Sequence, residues 1–174
     1  MMGSTVAARS AARVLMGFAL LGLVSSSAEA APKSSGGGYA PPYSELVVDA
    51  RSGKILRAVN ADQLRHPASI TKVMTLYMLF EQLEAGKMSL STPIRISEWA
   101  AKQAPSKLGL SPGDTISVED AIKAVVTKSA NDASVVAAEG LAGSVAKFVQ
   151  LMNRKAKQLG MHSTQFFNPT GLPD

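Results

Sequence analysis

Pro67-Ala68-Ser69-Ile70-Thr71-Lys72-Val73-Met74-Thr75 is the stretch from which the rest of the chain can be read. Pro67 stands just ahead of a helix start. Val73, Leu76, Tyr77, Leu79, Phe80 and Leu83 then recur over several turns, apolar nearly all round. The pattern predicts a helix from about Ser69 to a cap at Gly86, and its apolar circumference predicts a buried one. Ser69 and Lys72, three apart, then share one face. A serine hydroxyl attacks only when a base takes its proton, and a lysine amine is such a base where burial disfavours its charged form. Free N–H groups and the positive dipole end at the helix start favour negative charge on a substrate carbonyl oxygen.

The spacing alone is weak, because Ser144-Val145-Ala146-Lys147 repeats it. There an amphipathic pattern and a capping position describe an ordinary exposed lysine. A second element is Ser129-Ala130-Asn131, in a break between two predicted helices. Its hydroxyl can relay a proton, and its amide can hold a lysine and a substrate carbonyl. Taken by itself it reads better as a helix cap, Ser129 or Asn131 ending one helix and starting the next.

Upstream, Glu45–Asp49 and Ile55–Val59 predict two strands joined at Arg51-Ser52-Gly53-Lys54. Downstream, Ser117-Val118-Glu119-Asp120 is a capping box opening a helix to about Thr127. Further helices are expected from Asp132 to Gly140 or Gly143 and from Ser144 to Leu159, with Gly160 at the end. Residues 166–174 read as irregular, with Asn168-Pro169 and Gly171 as turn signals. A hairpin followed by helices predicts an α/β fold of the α+β kind, helices packed on an antiparallel sheet.

The chain begins with the three parts of an export signal: Arg9 and Arg13, the apolar run Val14 to Val24, and Ala28-Glu29-Ala30 at the cleavage position. Residues 1–30 are therefore expected to be a signal peptide and 31–43 a flexible Gly/Ser/Pro leader. The apolar run is too short to span a bilayer. No cysteine occurs, which excludes disulfides, a thiol nucleophile and cysteine–zinc sites. His66 and His162 have no ligand-spaced partners, so no metal is expected. The basic excess, 18 Lys and Arg against 13 Asp and Glu, is mild and without an aromatic-plus-basic cluster, which gives no sign of nucleic acid.

Several segments in order resemble the low-molecular-weight penicillin-binding proteins, the serine D-alanyl-D-alanine carboxypeptidases of peptidase family S11. Residues 67–75 resemble their active-site serine motif. Ser129-Ala130-Asn131-Asp132-Ala133, running through Ala138-Glu139 to Phe148, resembles their second motif. Asn153 through Gly160-Met161, then Phe167-Asn168-Pro169-Thr170-Gly171-Leu172-Pro173, and the early Val48-Asp49-Ala50 with Ser52-Gly53, are similar as well. The likeness covers roughly residues 44–174. It implies a β-lactamase/transpeptidase-like fold and removal of the terminal D-alanine from peptidoglycan stem peptides through an acyl-enzyme. β-Lactam antibiotics would act as inhibitors. By the same resemblance Ser69 is the nucleophile, Lys72 the proton acceptor, Ser129 an aid to proton transfer and Asn131 a substrate-binding residue. No cofactor is implied. A bacterial periplasm or cell envelope is the implied location.

The family's third motif, Lys-Thr-Gly or a near variant, does not occur in the 174 residues. The chain is accordingly expected to hold only the N-terminal part of the catalytic domain. Peripheral membrane attachment would fall to a C-terminal region not represented in the sequence. A D,D-endopeptidase of the same family, or an inactive wall-binding remnant, are the alternatives. A β-lactamase fits less well, because those enzymes typically carry aspartate where this chain has Ala130.

Overall fold

The computed structural model describes residues 42–173. The expected signal peptide and almost all of the expected leader lie outside them. Strands β1 (Glu45–Val48) and β2 (Ile55–Val59) form the antiparallel hairpin the sequence predicts, with Glu45 opposite Val59 and a register shift between Val47 and Val48. Asp49 closes its turn: Oδ1 accepts from Ser52 N at 2.7 Å and Ser52 Oγ at 2.6 Å, the local bonding that suits Asp to turns.

A 3-10 turn, Ala68–Thr71, leads into helix α1 (Lys72–Glu84). A second ribbon pairs β3 (Pro93–Arg95) with β4 (Thr115–Ser117), and the short α2 (Glu98–Ala101) lies between them. Nothing in the periodicity announces these three-residue strands, which are too short for an alternating pattern to register. Ser117 caps α3 (Val118–Lys128), accepting from Asp120 N at 3.0 Å and donating to the Asp120 carboxylate at 2.7 Å. Helices α4 (Asn131–Ala142) and α5 (Val145–Gln158) follow, α5 capped by Ser144 and α4 ended by Gly143 at φ 75°.

The buried helix is α4, not α1. Residues 131–138 of α4 are all buried, and α1, α2, α3, α5 and β3 all pack against it. Its small side chains, Ala133, Ser134, Ala137 and Ala138, let neighbours approach closely. Leu79, Ile94, Val118 and Val136 fill one side; Met74, Met78, Phe148 and Met152 fill another. Each such side chain contributes about 2 kcal/mol by leaving water. Helix α1 buries Met74, Thr75, Met78 and Leu79 but exposes Val73, Tyr77 and Phe80. The prediction of an all-round buried helix is thus corrected. Its apolar residues are too many for the neighbours that the described residues supply.

One buried charge ties the second motif to a loop. Asp132, fully buried, accepts from Leu108 N at 3.0 Å, Gly109 N at 2.9 Å and Leu110 N at 3.2 Å. Asp132→Ala would leave these three loop donors, and Ala133 N as a fourth, without their acceptor and is expected to cost about 3 kcal/mol. Urea denaturation measures it; a loss below about 1 kcal/mol would show that water replaces the carboxylate easily.

Candidate active site

Ser69 lies inside the 3-10 turn, with Thr71 as N-cap of α1 and Lys72 as its first residue. The serine sits at the predicted helix start but one turn ahead of the observed α1, in a tighter winding than the α-helix expected. Ala68, just before it, has φ 48°, a left-handed backbone conformation that costs a non-glycine residue about 1 kcal/mol. Ser69 is exposed and Lys72 is 3% exposed. Lys72 Nζ donates to Ser69 Oγ at 3.1 Å, so the hydroxyl and amine converge as their spacing predicts. Burial lowers the Lys72 pKa from its ordinary value, and desolvation is the cause.

Lys72 has a second partner that sequence reasoning missed. Nζ donates to the Thr170 carbonyl at 2.7 Å. Thr75 Oγ1, one turn along α1, donates to the Pro169 carbonyl at 2.9 Å. The irregular segment near residue 170 is thus pressed onto the turn that carries Ser69. Gly171 shows how tightly: a Cβ there would sit 1.9 Å from the Ala68 oxygen, and its φ is +79°. Gly171→Ala is expected to destabilise the chain by about 3 kcal/mol through strain and overlap. A change under 1 kcal/mol in a chemical melt would mean that the turn yields freely. The turn signals at Asn168-Pro169 and Gly171 marked a bend here, but no local pattern names the residue on which a bend packs.

Ser129 ends α3 at φ 53°, and Ala130 is extended, so the chain re-aims before α4. Ser129 is half-buried and Asn131 is 2% exposed. Asn131 Nδ2 donates to Ala104 O at 2.8 Å, and its backbone N to Ser106 O at 2.8 Å. Its Oδ1 is buried without a partner, an acceptor that normally costs free energy when left empty. Ala130 and Ala133 pack with Leu76 of α1, which brings the second motif against the first helix. Among the described residues no hydrogen bond joins Ser69 or Lys72 to Ser129 or Asn131. The structure brings Ser69 and Lys72 into contact and sets the second pair on the adjoining element.

The arrangement offers an exposed hydroxyl hydrogen-bonded to a desolvated amine, the minimum for an activated serine. Among the described residues no group of three His, Asp or Glu side chains is gathered for a metal ion. A cleft of about 1140 Å³ lies between residues 61–68 and residues 160–168 with 171–173, bordered by Ala68, Thr71 and Gly171. None of Ser69, Lys72, Ser129 and Asn131 lines it.

The helical domain sets an exposed serine hydroxyl against a buried amine at the head of its first long helix, and comparison with known proteins gives the family. Residues 40–174 match Peptidase S11, described as D-alanyl-D-alanine carboxypeptidase, and the chain belongs to that family. It is 41% identical over 131 residues to a D-alanyl-D-alanine carboxypeptidase of Bacillus subtilis, covering 75% of this chain and 34% of the relative. A D-alanyl-D-alanine endopeptidase of Pseudomonas aeruginosa is 36% identical over 132 residues, covering 74% and 41%. Among solved structures, the carboxypeptidase DacD of Francisella tularensis superposes with a TM-score of 0.74 at 40% identity, covering 75% of this chain and 32% of that one. Penicillin binding protein 5 of Haemophilus influenzae gives 0.71 at 38%, covering 79% and 42%. The fold is that of the penicillin-binding proteins, and the chain spans about a third of the length of the carboxypeptidases it matches.

Proposed function

We propose that the protein is a serine D-alanyl-D-alanine carboxypeptidase that removes the terminal D-alanine from peptidoglycan stem peptides and is acylated by β-lactams. The observation that carries this is the 3.1 Å contact between exposed Ser69 Oγ and buried Lys72 Nζ in a member of this family. Neutral Lys72 takes the proton as Ser69 Oγ attacks the carbonyl carbon of the penultimate D-alanine. The tetrahedral oxyanion collapses, the last D-alanine leaves as the amine with a proton returned to it, and water then releases the acyl group. Ser129 serves proton transfer to the leaving amine. Asn131 orients the substrate and the lysine through its side-chain amide. The signal features of residues 1–30 support export to the periplasm or cell envelope.

A Lys-Thr-Gly strand would add the grip on the substrate's terminal carboxylate, and the 174 residues contain none. The test is fluorescent-penicillin labelling of the product of the complete reading frame, followed by mapping of the labelled peptide. A Lys-Thr-Gly sequence in that product and label on Ser69 are expected. The 174 residues alone are expected to stay unlabelled. Label on another residue would remove Ser69 from the mechanism. The endopeptidase reading draws on the Pseudomonas relative; hydrolysis of cross-linked muropeptides in preference to monomeric pentapeptides would favour it.

A further inference from the structure

We propose that Asn168 is a positioning residue for Lys72, acting through the Thr170 carbonyl; the inference rests on the acyl-transfer reading for its consequence but not for its geometry. Lysine has four rotatable side-chain bonds, so burial alone does not aim its amine. The carbonyl at 2.7 Å accepts one N–H and so limits where the remaining N–H groups and the lone pair can point, with Ser69 Oγ at 3.1 Å beside them. Asn168 shapes the turn that presents this carbonyl. Its Oδ1 accepts from Thr170 N at 3.1 Å, Thr170 Oγ1 at 3.0 Å and Gly171 N at 2.7 Å, while its Nδ2 donates to Leu172 O at 2.8 Å. An Asn side chain bonded to backbone N–H groups two and three residues on fixes a local bend without help from the sheet or helices. The bend is pinned at two further points, Thr75 Oγ1 on the Pro169 carbonyl and Gly171 against the Ala68 oxygen. These hydrogen bonds of Asn168 go to its own turn and not to Ser69 or Lys72, yet they set the atom that orients the amine.

Two measurements test it. In the 174-residue chain labelled with ¹³C,¹⁵N-lysine, Lys72 is the buried lysine among the described residues, and its Cε–Nζ cross-peak should stand apart from those of exposed lysines. Asn168→Ala is expected to move that peak most of the way toward them. Asn168→Ser, whose hydroxyl makes the same kind of turn more weakly, should hold it near its original place. Should Asn168→Ala fail to fold, Thr75→Val, which removes only the Pro169 anchor, must shift the peak in the same direction. A purely structural Asn168 would lower the melting temperature and leave the Lys72 peak unmoved in the folded protein; that result, or equal shifts in the alanine and serine variants, overturns the proposal. In the complete product, Asn168→Ala is expected to slow penicillin acylation about 10- to 100-fold, with serine restoring most of it. Unaltered acylation in Asn168→Ala overturns the catalytic consequence. If the unsubstituted product is never acylated while the peak behaves as stated, the acyl-transfer reading falls and the positioning stands.

Discussion

Ser69→Ala is expected to abolish covalent labelling of the complete product by a β-lactam, a loss of about a million-fold in acylation rate, the scale on which removal of a serine nucleophile acts. The effect should be confined to chemistry. Ser69 is exposed, and the contact it gives up is the one it accepts from Lys72 Nζ. Lys72 retains the Thr170 carbonyl, so the stability change should stay within about 0.5 kcal/mol, as for surface substitutions elsewhere. Stopped-flow acylation and a urea melt on the same preparation separate the two. Residual labelling at the normal rate would show that another hydroxyl attacks. Lost labelling with a collapsed melt would show that Ser69 holds the turn rather than reacting.

The parts of this site differ in how much of them the sequence discloses, and the reason is the range of the interaction. Ser69 and Lys72 are one winding apart, so spacing alone places both side chains together, whether the winding is the predicted α-helix or the observed 3-10 turn. Ser117, Ser144 and Gly143 act within four residues of themselves, and the helices they bound lie within a few residues of the predicted limits. Thr170 is far along the chain from Lys72, and it acts through a backbone carbonyl, an atom every residue carries. No side-chain pattern marks it. Asp132 is similar: its type announced a helix start, while its partners are backbone N–H groups of a loop. The stripe Val73, Tyr77 and Phe80 is exposed against the periodicity for a related reason. Periodicity reports how much apolar surface a helix offers, not how many neighbours meet it.

Lys72→Met carries the second large expectation, because it removes the proposed base while keeping much of the stem's volume. Acylation of Ser69 should fall about a hundred- to ten-thousand-fold, the usual worth of a positioned general base. The pH dependence gives a sharper criterion. Desolvation lowers the folded-state pKa of Lys72 below its ordinary 10.5. Between the lowered value and 10.5 the unfolded chain binds the proton more than the folded chain does, so stability rises with pH across that interval. Below it, the folded state carries a buried ammonium and the full desolvation cost. Wild-type stability should therefore gain on that of Lys72→Met as pH climbs toward 10. The acylation rate of the wild type should climb through the lowered pKa, since only the neutral amine accepts the Ser69 proton, whereas the methionine variant should show no such limb. Urea melts and acylation rates at several pH values measure both. Parallel stability curves would mean that Lys72 titrates alike folded and unfolded. A wild-type rate that is flat while the stability curves diverge would leave the lysine buried and neutralisable but not the group that takes the proton.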